Sequence, residues 1–171
     1  MARDLIVTPD GWAEYAGTRV RCALGRSGVA VEKREGDGAT PAGVWPCRAV
    51  HYRADRLLVP HTGLAVLTIG RQDGWCDAPE DPSYNRPVKL PYKASAERLW
   101  RKDRVYDLIV PLGYNDDPVV PGRGSAIFLH LARPGYAPTE GCVGLALDDL
   151  MAFLASADAG SRVIIQDRAD R

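Results

Sequence analysis

No stretch of this 171-residue chain approaches the run of about twenty apolar residues that a membrane-spanning helix needs. The first residues, Met1-Ala2-Arg3-Asp4-Leu5-Ile6-Val7-Thr8-Pro9, lack the apolar region of a signal peptide. The expected location is therefore cytoplasmic, with the periplasm as the alternative if the true N-terminus is longer. Charge of one sign is not in excess either: Lys+Arg and Asp+Glu are both 22. That argues against nucleic acid or a membrane as partner, and nothing marks an obligate protein partner. Histidine is scarce, and His51, His61 and His130 are scattered. None of the four cysteines, Cys22, Cys47, Cys76 and Cys142, forms a C-x-x-C pair. Zinc is thereby disfavoured, no metal or other cofactor is expected, and the cysteines are expected as free thiols. Repeats, low-complexity tracts and linkers are missing too, so residues 1–171 are expected to form a single domain with a sizeable core.

Short apolar runs broken by Gly, Pro and Asp dominate the chain, which predicts a mainly β fold. The expected strands are Asp4–Thr8, Thr18–Ala23, Leu57–Val59, Leu64–Ile69, Val105–Val110, Ser125–Leu131 and Arg162–Gln166. Ser95 can cap a short helix over Ala96–Lys102 that turns Leu99 and Trp100 inward. Leu147, Leu150, Met151 and Leu154 follow helical spacing, and Gly160 suits the position just past that helix. His51 and His61 flank the Leu57–Val59 segment and are expected at the surface or in loops.

The segment Thr139-Glu140-Gly141-Cys142-Val143 follows a stretch broken by Pro134, Gly135 and Pro138, and His130 lies twelve positions before Cys142. A strand-borne imidazole can take the proton of a loop-borne thiol, and the imidazolium then stabilises the thiolate. Read with a period of two, Ile127, Leu129 and Leu131 share one face of their strand, and Ala126, Phe128 and His130 share the other. If the first face is core, His130 points to the opposite side, towards a cleft. A histidine satisfied in a second core layer is the plainer alternative.

A second block, Gly36-Asp37-Gly38-Ala39-Thr40-Pro41-Ala42-Gly43-Val44-Trp45, is a loop by composition, with an apolar pair that can start a strand. It lacks the G-K-S/T ending of a phosphate-binding loop. Thr40-Pro41-Ala42-Gly43-Val44-Trp45 resembles the T-P-x-G-x-aromatic block of the L,D-transpeptidase catalytic domain (YkuD-type) family. His130 followed by Thr139-Glu140-Gly141-Cys142-Val143 resembles the same family's histidine and Ser/Thr-x-Gly-Cys-Ile/Val signature. The resemblance runs from about Leu5 to Ile165.

The resemblance implies a β-sandwich or barrel with two or three short helices. It implies an enzyme acting on peptidoglycan stem peptides, as a tetrapeptide or muropeptide, at the bond between a third-position diaminopimelate and D-alanine. Carried over by position, Cys142 is the nucleophile, His130 the general base, and N–H groups around Gly141 and Cys142 the oxyanion hole. Thr139 shapes the loop. The family's usual arginine two residues after the cysteine is here Gly144, and the histidine-to-cysteine spacing is shorter than in many members. The expected acceptor is water, an L,D-carboxypeptidase reaction. Transfer to an amine is the alternative, and an inactive muropeptide-binding module is a third reading. Arg86, Arg123 and Arg133 are candidates for a substrate carboxylate, since a guanidinium binds a carboxylate through paired hydrogen bonds. Trp75, Tyr84, Asn85 and Glu140 complete the expected substrate-binding set, mostly from the polar, aromatic loop around residues 73–86.

Overall fold

The computed structural model describes residues 3–168. Fifteen short strands form it, with one α-helix and a 3-10 turn at Pro134–Tyr136. The first sheet runs β3 (Thr18–Arg21), β2 (Trp12–Tyr15), β1 (Leu5–Thr8), β15 (Arg162–Ile165), β6 (Gly43–Pro46). The second runs β14 (Val143–Leu145), β13 (Phe128–Leu131), β12 (Leu108–Pro111), β7 (Val50–Tyr52), β8 (Val66–Thr68). A small sheet sets β9 (Asp73–Cys76) between β10 (Pro87–Lys89) and β11 (Ala96–Arg98), and β4 (Val29–Ala30) pairs with β5 (Thr40–Pro41). The mainly β expectation holds, and helix α1 (Leu147–Ser156) covers the predicted periodic segment.

Two apolar clusters explain the layering. The larger joins Leu5 and Val7 of β1, Val163 of β15, Leu108 and Val110 of β12, Leu129 and Leu131 of β13, and Phe153 and Leu154 of α1. The smaller gathers Ile109 of β12, Phe128 of β13, Leu99, Tyr106, Ala126 and Cys142 on the opposite face of the second sheet. Every residue of β12 and β13 is therefore buried, since both faces of these strands are covered. Trp75 of β9 meets Phe128 edge-on, ring centroids 5.1 Å apart, which seats the small sheet over this second face.

Several local expectations are corrected. Ala96–Arg98 is a strand, because its backbone pairs with Asp73–Cys76 (Ala96 opposite Cys76, Arg98 opposite Gly74); ladder pairing overrides the Ser95 cap signal. Leu57–Val59 is not a strand, and Leu58 stands 88% exposed. Gly160 does not follow the helix: α1 ends at an Ala157 cap, and Gly160 lies in a turn held by Asp158. One α-helix and one 3-10 turn replace the two or three helices expected among the described residues. Strands β2, β4, β5, β7, β9, β10 and β14 are additions. His51 sits within β7 instead of a loop. All four cysteines are free and buried. No helix of the described residues is long and apolar enough to cross a membrane.

Candidate active site

Strands β13 and β14 run parallel, with Leu129 opposite Val143 and His130 opposite Gly144. One step back along that register, Cys142 stands beside Phe128, whose N–H points at its Sγ from 3.4 Å. The side-chain alternation thus puts Cys142 and His130 on the same face, diagonally across the ladder. Both line a cavity of about 370 Å³. The thiol donates to the Ala126 carbonyl at 3.3 Å. The His130 Nδ1 meets the Leu131 carbonyl at 2.9 Å, which fixes the ring and leaves Nε2 as the nitrogen available for a second partner. The His130 ring also lies against Tyr106, centroids 5.6 Å apart.

Burial decides the charge state. It pushes the Cys142 thiol up to about 12, helped by the Glu97 carboxylate, against the Phe128 N–H and the charges of Lys33 and Arg133. It pushes His130 down to about 4, aided by Arg133 and Arg101, against its hydrogen bond to Leu131. The resting pair is therefore a neutral thiol and a neutral imidazole, not the thiolate–imidazolium pair that the sequence suggests. Cys22 and Cys47 are likewise pushed up to about 12 by burial, so titration does not single out Cys142. Its place on the cavity wall does.

The loop holding Cys142 needs its glycine. Gly141 has φ +136°, and a Cβ there would lie 2.7 Å from the Ala39 carbonyl oxygen. The glycine-rich block around Ala39 and Thr40 thus packs directly beneath the cysteine loop. Thr139 ties that loop: its Oγ1 donates to the Cys142 carbonyl at 2.7 Å and accepts from the Gly141 N–H at 3.1 Å. The Gly141 N–H is thereby engaged, which makes the Cys142 N–H the stronger oxyanion candidate of the two.

Of the residues singled out by sequence, Arg133, Thr139 and Glu140 join Cys142 and His130 at the cavity. Trp75, Asn85 and Arg86 line a different pocket, with Arg86 donating to the Asp116 carbonyl. Arg123 lines a third. Tyr84 is buried, donating to Glu35 and accepting from the Gly124 N–H. Asn85 acts behind the site: its Oδ1 accepts from Trp75 Nε1 and from the Ala126 N–H, so it fixes the residue whose carbonyl holds the thiol. Lys33, Asp77, Glu97, Arg101 and Tyr106 also line the cavity, and sequence reasoning missed them. Glu97 is hidden inside the apparent helix; alternation along a strand at residues 96–98 is the signal that exposes it.

The model of the L,D-transpeptidase catalytic domain matches residues 4–165. The chain belongs to that family. Among solved structures it is similar to an L,D-transpeptidase from Mycobacterium smegmatis (14% identity, 95% of this chain and 58% of that one, TM-score 0.44). It is similar to L,D-transpeptidase 3 from Mycobacterium tuberculosis (12%, 96% and 60%, 0.46) and to the helical cell shape determining protein Pgp2 from Campylobacter jejuni (12%, 98% and 48%, 0.47). The chain spans about half to three-fifths of the length of these proteins. No curated protein matches it.

The position where L,D-transpeptidases usually carry an arginine is closed by packing. Gly144 is laddered to Ala23 on its far side, and a Cβ there would stand 3.1 Å from Ala132 Cα and 3.3 Å from Ala23 Cβ. Arg133, on the segment that leads from β13 to the cysteine loop, brings a guanidinium to the cavity instead.

Proposed function

We propose that this domain is a cysteine acyltransferase of peptidoglycan stem peptides that uses Cys142 and His130 and hands the acyl group to water. The observation that carries the reading is the shared face: a thiol and an imidazole held on adjacent strands of one ladder and lining one cavity. Both groups rest neutral, so activation is general-base catalysis during attack. His130 takes the thiol proton as Sγ bonds to the carbonyl carbon between diaminopimelate and D-alanine. The C–N bond breaks, and D-alanine leaves as the amine with the proton returned by His130. Water then attacks the thioester, His130 takes its proton, and the thiol re-forms with release of a tripeptide. The Cys142 N–H supports the oxyanion, a contribution of about 3 kcal/mol for one such donor.

Arg101 supports a second acceptor reading. It lines both the cavity and an open groove with Arg71, Arg98, Trp100, Lys102 and Asp103, and Asp103 pairs with it. Such a cationic groove suits a carboxylate-bearing acceptor peptide whose amine would replace water. Hydrolysis serves soluble muropeptides in the cytoplasm, whereas cross-linking requires the periplasm; fractionating the native host separates these. The direct test is incubation with a purified tetrapeptide muropeptide, with and without an amine-bearing tripeptide. Loss of one alanine in both reactions supports hydrolysis, and cross-linked dimers as the main product support transfer. Turnover that survives Cys142→Ala sinks both.

A further inference from the structure

The proposed reaction leaves Lys33 unused. This residue lies on the loop between β4 and β5, and only 3% of its side chain is exposed. Burying a lysine is unfavourable unless its ammonium is paired. Asp37 supplies the pair: its Oδ1 accepts from Lys33 Nζ at 2.8 Å and from the Ala39 N–H at 2.9 Å, and its Oδ2 accepts from the Arg34 N–H at 2.8 Å. Against the desolvation of burial, the Lys33 hydrogen bond and these two N–H groups hold Asp37 below the usual carboxyl range. The Arg34 carbonyl takes a second Lys33 N–H at 3.3 Å. An ammonium has three N–H donors, so one is left for the cavity that Lys33 lines. The side chain reaches this place between two glycines. A Cβ on Gly124 would stand 3.0 Å from Lys33 Cε, and a Cβ on Gly141 would stand 3.4 Å from Nζ. Asp37 thus sets both the Lys33 cation and the Ala39 backbone against the cysteine loop.

We propose that Lys33 supplies the fixed positive charge that stabilises the anion formed at Cys142 when the thiol attacks. The proposal rests on the reaction given above and adds a residue to it. Attack moves the thiol proton to His130 and bonds Sγ to the carbonyl carbon, whose oxygen takes the negative charge. Cys142 and His130 both start neutral, and burial opposes a charge on either. No imidazolium stands beside the resting thiol, so the anion needs another cation. One already in place stabilises it without reorganisation at the moment of reaction. Lys33 has the position, since its Nζ lies against Gly141, the neighbour of Cys142 in the chain. Desolvation dominates the rise of the Cys142 thiol and Glu97 adds to it; Lys33 and Arg133 are the cations that oppose it. Of these two, Lys33 is anchored by its hydrogen bonds to Asp37 and Arg34. Away from bulk water, a charge acts over a few ångströms with little screening. Thr139 engages the Gly141 N–H, so the remaining Lys33 N–H takes its place beside the Cys142 N–H.

The test reads the thiol directly, without peptide. Alkylation of Cys142 by iodoacetamide is followed between about pH 7 and 10, by mass spectrometry of the peptide that carries it, in the wild-type, Lys33→Met and Lys33→Arg proteins. Only the thiolate reacts, so the rate reports how well negative charge is stabilised at Cys142. Loss of the cation should slow alkylation near pH 8 by at least about tenfold, the size of one pKa unit, and Lys33→Arg should recover most of the rate. With a tetrapeptide substrate, Lys33→Met should lower kcat by at least about tenfold and change KM by less than about threefold. A folded Lys33→Met protein alkylated within about twofold of the wild-type rate overturns the proposal. Equal slowing in Lys33→Met and Lys33→Arg overturns it too, because a purely structural role then explains both. Should Lys33→Met fail to fold, Lys33→Gln keeps a donor for Asp37 without the charge and is judged by the same outcomes. Alkylation that depends on Lys33, in a protein that never releases alanine, would reject the proposed reaction and leave this assignment standing.

Discussion

The two faces of strand β13 are equally buried and serve opposite ends. Leu129 and Leu131 point into the large cluster between the five-stranded sheets, among aliphatic and aromatic side chains. Phe128 and His130 point the other way, toward Cys142, Tyr106 and the small sheet. On the first face, burial removes apolar surface from water and stabilises the fold directly. On the second, burial strips charge from two ionisable groups, leaving His130 at about 4 and Cys142 at about 12. A strand covered on both sides thus holds the thiol and imidazole on one frame, and the same packing keeps both uncharged.

Substitutions on the two faces should therefore fail in different ways. Cys142→Ala is the largest expected effect: turnover should fall by at least about 10³-fold, while stability changes by no more than about 1 kcal/mol. Cys22, Cys47 and Cys76 changed to Ser should leave turnover per folded molecule intact. Leu129→Ala inverts the pattern. It should cost about 2–5 kcal/mol in urea unfolding, with kcat of the folded fraction retained. Equal loss of kcat from both substitutions would show that the faces are not separable.

Acid should also divide them. The aliphatic face has nothing to titrate, whereas His130 has a folded pKa depressed from 6.5 to about 4. The unfolded chain then binds the extra proton first. Stability from this group is level above pH 6.5, declines as pH falls from 6.5 towards 4, and is level again below. The total is about 3 kcal/mol. His130→Asn should flatten that stretch of the pH–stability curve. Identical curves for the two proteins would remove His130 as its cause. Gly141→Ala comes next in size. Its φ of +136° and the 2.7 Å approach of the Ala39 carbonyl predict a cost of about 1–3 kcal/mol, with a matching loss of turnover because the cysteine loop shifts.

These contrasts also explain what the sequence discloses. The period-two reading of Ser125–Leu131 separates Leu129 from His130 because alternation is a local property, and the structure keeps that division. Helix α1 is legible for the same reason, with Leu150 and Leu154 four residues apart on its buried side. Charges brought to the cavity from distant segments are not legible. Asp77 and Glu97 meet only because β9 and β11 pair, and the Ser95 cap signal points that segment the other way. Asn85 reads as a substrate contact from its polar neighbourhood, yet its side chain is spent on Trp75, Ala126 and the carbonyls of Tyr114 and Asn115. The apolar triplet at Leu57–Val59 misleads in the opposite sense, since hydrophobicity without a pairing partner leaves Leu58 and Val59 exposed.

The smallest expected effect sharpens the comparison at its rim. Glu140 sits one residue before Gly141 and borders the cavity, yet its side chain is 80% exposed. It pairs with Arg26 at 3.0 Å, and Arg26 also reaches the Gly36 carbonyl at 3.3 Å. This pair links the cysteine loop to the glycine-rich block from the solvent side, where Gly141 and Ala39 already link them from within. An exposed ion pair contributes about 0–1 kcal/mol and is screened by salt. Glu140→Gln should thus shift unfolding by less than about 1 kcal/mol at low salt and by less at 0.5 M salt, ~4 Å of screening length. Turnover should change by no more than about threefold, through KM instead of kcat, because the inner contacts still set the Cys142 geometry. A kcat loss approaching that of Gly141→Ala would mean that the loop is held from its exposed side, and the division between a buried frame and a solvated rim would fall.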